Sequence, residues 1–206
     1  MAKTVIITRH GESIGNVGAR TKDMASIPLS ERGMAQAEAL ATALPQPDVV
    51  IVSPFLRAQM TAEAFLKKYP HLAKEEWPSI REHAFLSEIK YADTTPEERK
   101  IPRDLFWENC DPYYCDGGSA ESFVDYIARA EETIEKIKNH PAQTMILFSH
   151  EEFIKLLTFI HDNPELYKQS KESPLALKEF MRLYKTTIEA SRIDNGTAID
   201  ISHLFL

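Results

Sequence analysis

Three short runs of β-branched and aliphatic residues, at 4–7, 48–52 and 143–148, constrain this chain more than any other feature. Each reads as a strand buried on both faces, the pattern of a parallel sheet. Each is followed after a short link by a stretch suited to a helix. Strand, helix, strand, helix with short connections implies an α/β fold wound around a mostly parallel sheet.

The links support this reading. Ser30 is placed to cap a helix running to about Leu44, with Met34, Ala37, Ala41 and Leu44 on one face. Pro45 and Pro47 stop it, and Pro54 is placed to open a second helix through about Tyr69. Phe123, Tyr126, Ile127, Ala130, Ile134 and Ile137 recur at helical spacing in a third helix, after Gly117-Gly118-Ser119. A helix over 151–161 follows the third strand, and another spans roughly 175–184. Asn195-Gly196 makes a turn before an edge strand at 197–201. Residues 80–86 form a shorter strand candidate. Between 90 and 118 the periodicity fails, and Pro96, Pro102 and Pro112 punctuate a stretch with one short helix around 103–109. So long a connection inside a domain is usually functional, and it reads as a lid or excursion. The expectation is one domain over 1–206, a three-layer α/β/α sandwich with one antiparallel edge strand and this excursion over the site.

The carboxyl ends of strands in open α/β sheets are where ligands bind. Here those ends carry Arg9-His10, Ser53 with Arg57, and Ser149-His150, while Glu88 lies just beyond the strand candidate. A neutral histidine is a nitrogen nucleophile, and a guanidinium matches phosphate oxygens. Two histidines, two arginines and a carboxylate at one sheet edge suit phosphoryl transfer.

Composition narrows the partners. With 24 Lys and Arg against 31 Asp and Glu, the net charge is −7, which gives no general basic field for nucleic acid or an anionic membrane. Any anion must find a local cationic pocket. The two cysteines, Cys110 and Cys115, form no CxxC spacing and read as inert thiols. The first residues are too quickly charged for a signal peptide, and no apolar run is long enough to span a bilayer. A cytoplasmic protein is expected.

The motifs resemble those of the histidine phosphatase superfamily, the phosphoglycerate mutase-like proteins, in its small phosphatase branch. Arg9-His10-Gly11-Glu12-Ser13 with Asn16 looks like its signature. Leu29-Ser30-Glu31-Arg32-Gly33 with Gln36-Ala37 is similar to its first-helix segment, and Ser53-Pro54-Phe55-Leu56-Arg57-Ala58 with Thr61-Ala62 to its second motif. Leu86-Ser87-Glu88 occupies the acid position. Glu121-Ser122 with Arg129, Ser149-His150 and Asn195-Gly196-Thr197 resemble the later segments. The resemblance implies that His10 attacks phosphorus and becomes a phosphohistidine. It implies that Arg9, Arg57 and His150 bind phosphoryl oxygens, that Asn16 lines the pocket, and that Glu88 serves as proton donor. No metal or other cofactor is implied.

Two departures bear on the site. The family commonly places glycines after its second histidine, where this chain has Glu151-Glu152. Glu151 could repel a phosphate dianion, face the helix dipole, or donate a proton, as the acid in this place does in the acid phosphatase branch. Glu88 is preferred to it as donor. Ser26 stands where many members have aspartate, so no contact is carried over from that loop.

Other residues read more plainly. Glu12 beside His10 lacks partners for a metal site. His83 reads as structural, and His71, His140, His161 and His203 as surface or helix-end residues. Glu132 and Lys136 form a solvated i,i+4 pair. Trp107, Tyr113 and Tyr114 either pack the excursion or line a leaving-group pocket. The function expected is metal-independent hydrolysis of a phosphorylated small molecule, or of a phosphoprotein including a phosphohistidine. Mutase-type transfer is the near alternative, and a non-catalytic phosphate-binding module the distant one.

Overall fold

The computed structural model describes residues 3–205; Met1, Ala2 and Leu206, which the single-domain and N-terminal expectations include, lie outside them. Strands β1 (Thr4–Arg9), β2 (Val49–Val52), β3 (Ala73–Glu76), β4 (Thr144–Ser149) and β5 (Ala198–Asp200) make one sheet in the order β3-β2-β4-β1-β5. The first four are mutually parallel, and β5 pairs antiparallel with β1 at the edge. This is the expected α/β architecture.

Successive side chains of a strand point to opposite faces, and here both faces are covered. Val5, Ile7, Val49, Ile51, Met145 and Leu147 join one apolar core; Val50, Val52, Ile146 and Phe148 join the other. Helices α1 (Glu31–Ala43) and α2 (Leu56–Lys68) cover the second face. The first is covered by α4 (Phe123–Asn139), α5 (Glu151–Asp162) and α7 (Pro174–Ala190). Between them lie α3 (Lys100–Asn109) in the excursion and α6 (Pro164–Ser170). Ser30 caps α1 by accepting from Gly33 N, and Ser122 with Asp125 forms a capping box on α4.

Several expectations need correction. Met34 is 40 % exposed; the buried face of α1 is Gly33, Ala37, Leu40 and Ala41. The helix after Pro54 begins at Leu56, with Phe55 as its cap. Helix α7 runs past Tyr184 to Ala190.

The strand candidate at 80–86 is not a strand. A short 3₁₀ turn, Pro78–Ile80, leads into irregular chain, while the fifth strand of the sheet is the charged β3. Side chains take the place of a ladder along this segment. Arg129 donates to the carbonyls of Ser79 and Arg81, both at 2.7 Å, and Glu121 accepts from Ala84 N. Arg129 and Glu121 are themselves paired at 2.6 Å. A buried apolar segment can therefore stay irregular, because its backbone groups are satisfied by a buried ion pair.

Candidate active site

Strands β2, β4 and β1 are neighbours, so their carboxyl ends lie side by side, with Arg9 in register with Ser149 and Val52 with Phe148. The chain leaves β1 through His10, whose N–H donates to Ser149 O at 3.0 Å. Gly11 follows because nothing larger fits: a Cβ there would sit 2.4 Å from Gly33 O. That close approach locks the loop after β1 against the start of α1. Thr61 on α2 accepts from Gly11 N at 3.1 Å, which ties the loop to a second helix.

His10 is 3 % exposed. Its Nδ1 lies 2.6 Å from Gly11 O, and a carbonyl only accepts, so Nδ1 carries the proton. Nε2 is left with its lone pair and accepts from Arg57 Nε at 3.0 Å. Burial, then the Arg57 and Arg9 charges, hold the His10 pKa well below the usual 6.5, against the raising effect of the Gly11 bond. Arg57 also donates to Met24 O at 2.6 Å and lies over the Phe55 ring. Its own pKa is lowered by burial to about 10, so it stays cationic at neutral pH.

His150, fully buried, stands with its ring centroid 5.2 Å from that of His10. Its Nε2 is 2.7 Å from Ser53 Oγ, which already accepts from Phe55 N. The serine hydroxyl can donate to Nε2 while accepting from Phe55, which places the histidine proton on Nδ1, and Nδ1 is a buried atom with no partner in the protein. Burial and the nearby cations hold this ring neutral as well.

Arg9 is 5 % exposed. Its Nη1 meets Glu151 Oε2 at 2.7 Å and the Ile193 carbonyl, while Nε has no partner. Asn16 Oδ1 accepts from Ser13 N and Oγ, both at 2.9 Å, and from Asn195 Nδ2 at 3.3 Å. Asn195 and Gly196 in turn donate to the His10 carbonyl, each at 3.2 Å. The C-terminal turn thus braces the loop after β1.

The carboxylates divide into three situations. Glu88 is half-buried; its oxygens accept from Met24 N at 3.3 Å and Ser119 Oγ at 3.1 Å, joining the loop before α1 to the segment before α4. Glu151 is held ionised: its ion pairs with Lys155 and Arg9 and the Ile193 N–H outweigh the largest single influence, burial, and its pKa falls. Glu82, which the sequence reading passed over, lies in the irregular segment. It accepts from His83 N and from the first-turn N–H groups of Glu152 and Phe153 on α5. Burial raises its pKa, against the lowering effects of Arg57, those N–H groups and Arg9. Its signal in the sequence is an acid flanked by Arg81 and His83 between the apolar Ile80 and Ala84-Phe85.

A cavity of about 280 Å³ opens over these groups. It is lined by Arg9, His10, Arg57 and Glu82, by Asn16 and Glu88, and by four excursion residues, Tyr91, Pro96, Arg99 and Arg103, whereas His150 is not on its wall. Trp107 is in the aromatic core, and Tyr113 and Tyr114 are exposed; none of the three lines this cavity. His83 is buried and stacked on Tyr126, centroids 4.0 Å apart. His71, His161 and His203 are exposed, and the half-buried His140 caps α4. Cys110 and Cys115 are unpaired. Among the described residues no His, Cys, Asp and Glu cluster suited to a metal ion occurs, and no helix is long and apolar enough to cross a membrane.

A wound parallel sheet with two histidines and two arginines at the carboxyl ends of its central strands defines a class of phosphate-handling α/β enzyme. The family model for the histidine phosphatase superfamily (branch 1) matches residues 5–167, and the chain belongs to that family of phosphatases. Uncharacterized protein Rv0525 of Mycobacterium tuberculosis is 31% identical over 150 residues, 71% of this chain and 72% of its own. Phosphoserine phosphatase 1 of Hydrogenobacter thermophilus is 29% identical over 150 residues, 71% of this chain and 70% of its own. The crystal structure of the alpha-ribazole phosphatase from Shigella flexneri superposes with a TM-score of 0.69 at 24% identity, covering 98% of this chain and 92% of that one. That last likeness is one of fold.

Proposed function

We propose that this protein hydrolyses phosphomonoesters of small molecules through a phosphohistidine on His10. The observation that carries the reading is the state of His10: buried, neutral, its proton fixed on Nδ1 and its Nε2 lone pair beside Arg57. In the proposed first step Nε2 attacks phosphorus as the bond from phosphorus to the ester oxygen breaks. Arg57 turns from Nε2 to the phosphoryl oxygens, joined by Arg9 and by His150 through Nδ1–H. Donors aimed at such developing charge typically contribute about 2.7–4 kcal/mol each to the transition state. The charge that develops on phosphoryl oxygen is met by guanidinium groups, which is the work a metal ion does elsewhere.

The leaving oxygen needs a proton. We assign that proton to Glu82 rather than Glu88. Burial keeps the Glu82 carboxyl protonated at higher pH than an ordinary glutamate, and its charge is felt by both Arg57 and Arg9. Glu88 joins two loops through Met24 and Ser119, and of the two carboxylates only Glu82 acts on the Arg57 guanidinium. In the second step the Glu82 carboxylate takes a proton from water as the water oxygen attacks phosphorus, and the bond from phosphorus to Nε2 breaks. Proton and electron pair are then restored. The test is a panel of phosphomonoesters assayed for phosphate release, with His10→Ala as control. Phosphate released by wild type and not by the variant supports hydrolysis at His10. Binding without turnover would point to a phosphate-binding module, and transfer to a second hydroxyl without release to a mutase.

A further inference from the structure

Glu151 stands where the resemblance leads one to expect glycine, and an extra carboxylate near a phosphate site should repel the ligand. Its surroundings argue for another role. Oε2 holds Arg9 Nη1 at 2.7 Å, and Oε1 accepts from Lys155 Nζ at 2.7 Å and from Ile193 N at 3.1 Å. Lys155 is itself buried and donates to the carbonyls of Ile188 and Ser191, at the end of α7 and just beyond it. A chain of charges, Arg9–Glu151–Lys155, thus ties the guanidinium at the end of β1 to the first turn of α5 and the end of α7.

We infer that Glu151 is a positioning residue, held by Lys155, that fixes the Arg9 guanidinium for binding phosphoryl oxygens. This rests on the reading of the site given above. Two observations on Arg9 support it. Its Nη1 is committed to Glu151 and the Ile193 carbonyl, so the plane of the fork cannot rotate freely. Its Nε is buried with no acceptor in the protein, although a buried donor of this kind normally has one. A phosphoryl oxygen supplies that acceptor. Without Glu151, Arg9 would lose its anchor, and ordering it would have to be done by each ligand that binds.

The charge of Glu151 is met by two cations, so the dianion does not face an uncompensated carboxylate. Glutamine cannot reproduce the arrangement. Both carboxylate oxygens face donors, and an amide would turn its NH₂ toward either Arg9 or Lys155.

The experiment measures binding of inorganic phosphate by calorimetry, alongside kcat and KM, for wild type, E151Q, R9M and the double variant. E151Q should weaken phosphate binding about tenfold, the loss typical of one charge-assisted contact. It should add little further loss once R9M is present. E151D, which keeps both acceptor oxygens, should recover most of the affinity, and E151A, which removes them, replaces E151Q in the cycle if E151Q does not fold. Phosphate bound as tightly or more tightly by E151Q would overturn the inference, because repulsion would then dominate. An E151Q penalty of the same size with and without R9M would also overturn it, because Glu151 would then act on the fold rather than through Arg9. If wild type shows no phosphatase activity and R9M binds phosphate as wild type does, the reading of the site itself fails, whatever Glu151 does.

Discussion

Nε of Arg57 donates to Nε2 of His10 across 3.0 Å, so the nitrogen assigned to attack phosphorus is held by the cation assigned to receive the phosphoryl group. The contact does two things. It orients the ring together with the Gly11 carbonyl on the opposite nitrogen, and it disfavours protonation of the nucleophile.

The first expected outcome follows from that contact. A His10 pKa held well below 6.5 keeps the nucleophile in its base form as pH falls, so the ring should not titrate between pH 8 and 6.5. Histidine NMR titration of wild type against His10→Ala identifies the signal and checks this. The same variant should release no phosphate, while rapid acid-free quench of wild type should trap an acid-labile phosphoenzyme. A His10 signal titrating at its ordinary pKa would contradict the described environment.

The proton donor separates two carboxylates. An alkyl phosphate expels a poor leaving group and depends on an acid, which typically contributes about 10²–10⁴-fold; an activated aryl phosphate depends on it less. Glu82→Gln should therefore slow alkyl phosphates far more than aryl phosphates and remove the alkaline limb of the alkyl pH profile. Glu88→Gln should have a small effect spread evenly over the panel, through the Met24 and Ser119 contacts it loses. Exchange of these behaviours would return the role to Glu88.

Charge neutralisation by Arg9 and Arg57, with a hydrogen bond from the neutral His150, leads to a third expectation. Dialysis against EDTA should leave the hydrolysis rate unchanged. A loss restored by Mg²⁺ or Zn²⁺ would refute it.

The division between what the sequence revealed and what it hid follows physical lines. Strands β1, β2 and β4 are buried on both faces and so read as unbroken apolar runs; their ends delivered His10, Arg57 and His150 to one edge. Strand β3 carries Ala73-Lys74-Glu75-Glu76 with mostly exposed side chains, and only its pairing with β2 makes it a strand. Residues 80–86 present the opposite case. Their apolar side chains suggest a strand, yet Arg129 and Glu121, 50 and 37 residues away in sequence, satisfy the backbone instead. Glu82 was hidden for that reason, since only the irregular path of this segment brings its carboxyl to Arg57 and the first turn of α5. The partner of Glu151 could not be read either, because Arg9 lies far off along the chain.

The excursion should set the leaving group through different residues than its aromatic content suggests. Arg99 and Tyr91 line the cavity, whereas Trp107 packs in the core against His83, Phe85 and Phe106. Arg99→Ala should reorder the substrate panel, weakening esters whose leaving group is anionic while leaving a small aryl phosphate near its wild-type rate. Trp107→Ala should instead cost stability, roughly 3–5 kcal/mol for so large a buried side chain. Uniform loss of rate across the panel in Arg99→Ala would mean that it supports the excursion only.

Glu152 gives the last expectation, a dependence of stability on pH. Its Oε2 is buried without a hydrogen-bond partner, 3.8 Å from Nδ1 of His83. His83 is held neutral by burial and by the Arg129 and Arg81 charges, so it offers no counter-charge. Burial, then the neighbouring Glu82 and Glu151 carboxylates, push the Glu152 pKa up to about 8, from a usual value of 4.5. Between those two pH values the folded protein holds a proton that the unfolded chain has released. Stability must then fall as pH rises through that window, by the linkage between proton uptake and folding. Glu152→Gln keeps the shape and has nothing to ionise. The variant should match wild type in urea unfolding near pH 4, gain on it steadily between pH 5 and 8, and hold a constant advantage above. Because Glu82 and Glu152 titrate as a pair, Glu82→Gln should flatten part of the same slope. A stability difference between wild type and Glu152→Gln that does not change with pH would show that folding leaves the Glu152 pKa where it is in the unfolded chain.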